Sequence, residues 1–249
     1  MKYLILGPGA LTFYAMLGYL MKREEVLKEV EEISGSSAGA ILGFLLLSGK
    51  SLQEIFESTI NVDISEMTKV NLKTFINSFG FINHELIKQK LIELWGGNPT
   101  FKELPKKLYV SSYCLNDLKT EYFCKDTHPD MHVADAVCAS ISIPMIFSTF
   151  EYNCKKYIDG ATIEAIPASP FLNKNFNDVF CLKISDKSYI QNMKMDTILD
   201  YFKCIAYTGY NNRITYDVPS FIFDVEHINI LDFNAPLEER LKLFMIGFT

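Results

Sequence analysis

The chain has 249 residues, 49% of them hydrophobic and 22% charged, with a net charge of -6. No Pro/Gly/Ser-rich stretch or like-charge block interrupts it, which excludes a disordered or low-complexity chain, and its length suffices for one full-sized core in a single domain, 1–249. The acidic balance is spread along the chain, so the basic footprint with which a nucleic-acid binder neutralises phosphates is missing and no nucleic-acid partner is expected.

In chain order, Tyr3-Leu4-Ile5-Leu6 is a short apolar run ending at Gly7, which suits a buried parallel strand, and residues 11–23 follow as a helix. A second unit of the same kind comes next: a weak strand at 30–34, a tight turn at Gly35-Ser36-Ser37-Ala38-Gly39, and an apolar helix at 40–47. Two strand–turn–helix units in the first 50 residues imply an α/β fold, with a mostly parallel central sheet flanked by helices in three layers. Helices are expected at 52–60 and 84–95, strands at 107–113 and 120–124 around Asn116-Asp117, and a helix at 133–141. A hairpin of 147–152 and 156–158 turns at Asn153-Cys154 and delivers Asp159-Gly160 at a strand end. A buried strand at 179–184, a helix around 197–207, an alternating run at 221–230 and a helix at 236–246 complete the pattern.

Six cysteines, Cys114, Cys124, Cys138, Cys154, Cys181 and Cys204, show no C-x-x-C pair and no histidine at metal-ligand spacing. They read as buried free thiols in a reducing compartment, hence a cytoplasmic protein with no metal. The N-terminal apolar stretch imitates a signal peptide, but Gly7-Pro8-Gly9 breaks it and Lys22-Arg23-Glu24-Glu25 continues it as a charged helix end, so no cleavage is expected. The apolar runs fall short of the ~20 residues a bilayer span takes, leaving a soluble or membrane-peripheral protein.

The turn at Gly35–Gly39 matches G-x-S-x-G, in which the serine sits on a sharp strand-to-helix turn and small neighbours admit substrate. At a helix start, free backbone N–H groups and the positive dipole end favour negative charge on an attacked carbonyl oxygen. Ser37 is therefore a candidate nucleophile, with Gly35 and Gly39 forming its elbow; a plain Gly/Ser helix-start turn is the alternative. Gly7, Pro8, Gly9 and Ala10 lie at the first strand-to-helix turn, at the same end of the sheet, and could form either an oxyanion hole or a structural turn. A phosphate loop is disfavoured because neither G-x-G-x-x-G nor a Walker lysine is completed.

Taken together, the N-terminal glycine loop, Ile33-Ser34-Gly35-Ser36-Ser37-Ala38-Gly39-Ala40, Ala139-Ser140-Ile141-Ser142-Ile143-Pro144 and Tyr157-Ile158-Asp159-Gly160-Ala161 resemble the patatin-like phospholipase family, over roughly residues 1 to 170. The resemblance implies that Ser37 is the nucleophile, Asp159 of the Asp159-Gly160 motif its base, and the backbone of Gly7, Gly9 and Ala10 the oxyanion hole. It implies a hydrolase of phospholipid or other acyl-ester lipids that works through an acyl-enzyme without metal or organic cofactor. Where the family usually has more glycines and a basic residue in its loop, this chain has Pro8, Leu11 and Thr12. Two rival readings follow. A Ser-His-Asp esterase would recruit His227, the one histidine that follows the acid; a lipid-binding or regulatory protein would keep the fold with impaired catalysis. The other histidines are assigned lesser roles: His84 a capping or surface position, His128 and His132 a loop. The stretch 67–81 and the C-terminal stripe of Leu237, Leu241, Phe244, Met245 and Phe248 read as core, with contact to a lipid surface or a cover over the active site as the other assignment.

Overall fold

The computed structural model describes residues 1–185, 197, 201–202, 205, 213–225 and 228–249. His227, Cys204 and most of the helix expected at 197–207 lie outside the described residues.

The first unit is β1 (Tyr3–Leu6) and α1 (Thr12–Lys22), followed by α2 (Glu25–Glu29); the second is β2 (Glu32–Gly35) and α3 (Ala38–Leu46). Then come α4 (Leu52–Ile60), α5 (Ile64–Met67), α6 (Leu72–Ser78), β3 (Gly80–Ile82) and α7 (Glu85–Trp95). The hairpin β4 (Lys107–Cys114) and β5 (Lys119–Phe123) precedes α8 (Val133–Ser140) and β6 (Met145–Phe147). The chain goes on through β7 (Phe150–Tyr152), β8 (Lys155–Asp159), β9 (Val179–Ile184) and β10 (Ser220–Phe223), and ends in a helix, Leu237–Phe248.

The main sheet has the order β10-β9-β1-β2-β4-β8-β7, with β5 also paired to β4. The five strands from β10 to β4 run parallel, while β8, β7 and β5 are antiparallel additions. Because β1 lies inside this sheet, both of its faces are covered and it reads as an unbroken apolar run. Leu4 and Leu6 join the large core beneath α1 and α3, whereas Ile5 packs on the other face with Ile166, Phe171 and Cys181.

Register decides what reaches the sheet's edge. Gly35, the last residue of β2, pairs with Val110, and β4 continues four residues further to Cys114. The extra length carries β8, whose terminal Asp159 pairs with Ser112. Asp159 therefore arrives two residues beyond the level of Gly35, which is the level of Ser37.

Three expectations are corrected. Phe147 is not part of the hairpin: β6 pairs in parallel with β3 in a separate two-stranded sheet, and the hairpin proper is β7 and β8 around Asn153 and Cys154, both at positive φ. His84 is buried rather than at the surface and makes no side-chain cap to α7, because its ring stacks under Phe147 and sits between two serine hydroxyls. Of the five described cysteines, all are free thiols, but Cys154 is exposed because it occupies the hairpin turn.

Candidate active site

Ser37 is the N-cap residue of α3, with φ 53° and ψ -119°. A non-glycine residue held at positive φ is a strained conformation that the surrounding structure must impose. The turn allows no slack: a Cβ at Gly39 would lie 2.0 Å from the Leu6 carbonyl oxygen, so only glycine lets α3 approach β1 this closely. Gly35 is also too tight for a side chain, since its Cβ would meet the Gly39 carbonyl oxygen at 2.5 Å.

Asp159 is buried at the end of β8. Its Oδ1 accepts from the Ala161 N–H at 2.8 Å, and the Ser37 hydroxyl is near enough to favour its ionised form. Burial pushes this carboxyl up to about 6, against the downward pull of the Ala161 N–H, the Ser37 hydroxyl and the Arg213 charge. Gly160 opens the turn Gly160–Thr162 and packs so closely on Ser111 that a Cβ would fall 2.5 Å from its Oγ.

The segment from Ser140 to Ser142 holds both partners. Ser140 Oγ accepts from the Ser37 N–H at 2.9 Å, and the Ser142 carbonyl accepts from the Asp159 N–H at 2.9 Å. Ser142 Oγ in turn meets His84 Nε2 at 3.0 Å, and Ser148 Oγ meets Nδ1 at 3.2 Å. With no opposite charge to compensate its burial, His84 is pushed down to about 4 and stays neutral.

The glycine loop divides into distinct parts. The Gly7 N–H is not free for an oxyanion, because it donates to the Leu182 carbonyl at 2.8 Å and continues the β1–β9 ladder. Pro8 has no N–H and faces a separate cavity of about 50 Å³ beside Lys183 and Arg213. Gly9 and Ala10 remain, at φ 132° and 34°, and among the described residues their N–H groups have no backbone partner. Ala10, Ser37 and Ala38 line one cavity of about 160 Å³, whose walls are otherwise mainly apolar, including Leu11, Phe13, Ile41, Leu45 and Ile143. That combination can seat an apolar chain against a hydroxyl flanked by backbone donors.

Arg213 is a residue that the sequence patterns did not single out. Its Nη1 donates to the Ala161 carbonyl at 3.2 Å, and Ile214 exchanges backbone hydrogen bonds with Ile163 and Ala165 at 2.8 and 2.9 Å. No short motif surrounds it; only its position as a buried arginine would have drawn attention. A carboxylate pair with Cys114, Asp117 and Glu121, lies at the β4–β5 hairpin, where Lys155 and Lys119 already engage both acids.

The chain is 30% identical to "Probable lipid hydrolase 463L" of Invertebrate iridescent virus 6, over 67% of this chain and 61% of that protein. In three dimensions it resembles VipD of Legionella pneumophila with a TM-score of 0.55 at 16% identity, over 74% of this chain and 49% of VipD. It also resembles a chain of the ExoU–SpcU complex of Pseudomonas aeruginosa with a TM-score of 0.58 at 16% identity, over 100% of this chain and 50% of that one. The chain thus spans under two thirds of the viral relative's length and about half of each bacterial structure. The profile of patatin-like phospholipases matches residues 4–172, the stretch that contains the glycine loop, Ser37 and Asp159, and the chain belongs to that family.

Proposed function

We propose that the protein is a lipid acyl hydrolase that cleaves carboxylic esters of phospholipids or related lipids with Ser37 and Asp159. Family membership and the viral lipid hydrolase relative support the substrate class. The observation that carries the assignment of residues is that the segment from Ser140 to Ser142 holds both the strained Ser37 and the buried Asp159, each through its backbone N–H.

In this reading the acyl chain occupies the apolar cavity and its ester carbonyl lies at Ser37. Asp159 takes the hydroxyl proton as Oγ attacks the carbonyl carbon, and the N–H groups of Gly9, Ala10 and Ala38 receive the oxyanion. The alcohol leaves with the proton from Asp159, giving an acyl-enzyme. Water then attacks, Asp159 takes its proton, and the fatty acid departs as the proton returns to Ser37. The proton passes only among Ser37, Asp159, the leaving alcohol and water, and neither half of the cycle calls for a metal or organic cofactor. Near pH 7 a carboxyl group titrating at about 6 is mostly ionised yet basic enough to accept a proton.

The test is fatty-acid release from phospholipid vesicles by wild type, Ser37→Ala and Asp159→Asn, together with labelling by a fluorophosphonate probe. Wild type should release fatty acid and label, and both variants should stay folded and lose activity by at least about a thousand-fold, as for removal of a nucleophile or its base. A folded Ser37→Ala protein with undiminished release would rule out the assignment. Near-full activity in Asp159→Asn would move the role of base to His227.

A further inference from the structure

Next to several residues that line the cavity beside Ser37, apolar side chains are open to solvent. Met67 and Ile87 line it, while Val70 and Leu86 close by are exposed; Ile143 and Phe147 line it, while Met145 between them is exposed. A further exposed apolar surface lies on α6, which follows Met67 and Thr68 in the chain. Leu72, Ile76 and Phe79 recur at spacings of four and three, which aligns them in one stripe, and they are 65%, 70% and 57% exposed. Phe75, offset from that stripe, turns inward and stacks on Phe81 at 4.5 Å. The helix is thus amphipathic with its aromatic anchor inside and a second apolar face outside.

Phe79 is the sharpest departure from what folding alone would select. It ends α6 in the left-handed conformation, φ 62° and ψ 23°, a position that glycine or asparagine fills at least cost. A phenylalanine there strains the backbone and leaves an aromatic ring in water, two costs that no contact within the core offsets. Basic groups accompany the stripe: Lys156 lies over the Phe79 ring at 5.6 Å, and Lys69 and Lys73 flank Leu72 in the sequence. Glu66 and Glu151 pair with Lys69 and Lys156, and among the described residues Lys73 has no ion-pair partner.

We propose that Leu72, Ile76 and Phe79 dock the protein on the surface of a lipid bilayer, with Lys73 and Lys156 at the level of the head groups. The inference rests on the lipid-hydrolase reading and deepens it, because the segment that carries the stripe continues directly into Met67 and Thr68 at the cavity wall. An acyl chain drawn from the bilayer would then have a short apolar route to Ser37. Apolar side chains that enter the interface supply the attraction, and lysines add to it when anionic lipid is present.

The experiment uses the full chain carrying Ser37→Ala, so that binding is read without turnover. It measures co-sedimentation with phosphatidylcholine vesicles, with and without phosphatidylserine. Combined Leu72→Asn, Ile76→Asn and Phe79→Asn should weaken partitioning at least about ten-fold on both vesicles, as expected when buried apolar area is withdrawn from the interface. Phe79→Asn alone suits the left-handed position, so it should keep or raise thermal stability while weakening binding several-fold. In the Ser37 background, these variants should retain activity on a short, water-soluble ester and lose it on vesicles. Unchanged vesicle binding by the triple variant overturns the proposal. So does a wild-type dimer in sedimentation velocity that the triple variant converts to monomer with vesicle binding intact, since the stripe would then join two copies. Vesicle binding without ester hydrolysis of either substrate would instead count against the catalytic reading and leave this surface standing.

Discussion

The Ser37 N–H donates to Ser140 Oγ at 2.9 Å, so the strained turn between β2 and α3 is tied to the end of a helix 103 residues further along the chain. A buried N–H deprived of its acceptor costs about 1–3 kcal/mol, and here that cost falls on the residue whose geometry matters most. Ser140→Ala should therefore lower kcat about ten-fold with little change in KM, and Ser140→Thr should restore much of it. Steady-state kinetics on a soluble ester checks this; an unchanged kcat would mean that packing of Gly35 and Gly39 alone holds the turn.

Asp159 offers a test in which stability and activity move in opposite directions. Its carboxyl titrates at about 6 when folded, above the ordinary value near 3.9, so the folded state binds the extra proton between those values. Stability contributed at this group is therefore present below about pH 4 and lost as pH rises through 6. Asp159→Asn removes the buried charge and keeps an oxygen for the Ala161 N–H. At pH 7.5 it should raise stability by roughly 1–3 kcal/mol in thermal or urea unfolding while abolishing turnover, and the gain should shrink as pH falls from 6 to 4.

Arg213 tunes the same carboxylate. Its positive charge lowers the Asp159 pKa against the dominant effect of burial, so its loss should raise that pKa further. In Arg213→Gln the acid limb of kcat/KM should move to higher pH, with Arg213→Lys intermediate. A profile that falls in height with no displacement would assign Arg213 to holding the 161–165 loop through Ala161 and not to the charge.

The fold itself depends on one close helix crossing. A Cβ on Gly247 would lie 1.8 Å from the Ala15 carbonyl oxygen, and one on Gly18 would lie 2.1 Å from that of Phe244, so α1 and the C-terminal helix meet backbone to backbone. Gly18→Ala and Gly247→Ala should each destabilise by about 2 kcal/mol or more, since backbone on both sides must shift. Gly97→Ala, which meets only the Trp95 ring at 3.4 Å and beyond, serves as the control in denaturant unfolding and should be nearly neutral.

Much of this molecule is legible from local pattern. The glycine turns, the apolar strands at Tyr3–Leu6 and Val179–Ile184 and the helix at Leu52–Ile60 each follow from a few neighbouring residues, because backbone conformation and hydrophobic period are local properties. The same locality is what made Ser37 and Asp159 candidates from short motifs. What the tertiary structure decided is how distant segments meet. The four residues by which β4 outruns β2 bring Asp159 level with Ser37, and strand register is set by pairing and not by the sequence of either strand alone. The commitment of the Gly7 N–H to Leu182, the tethering of Ser37 by Ser140, the burial of His84 and the arrival of Arg213 at Ala161 all join residues far apart in the chain. A hydrogen-bond donor's identity is written in the sequence, but whether it is spent on a neighbour or left for a ligand depends on which partner the fold places beside it.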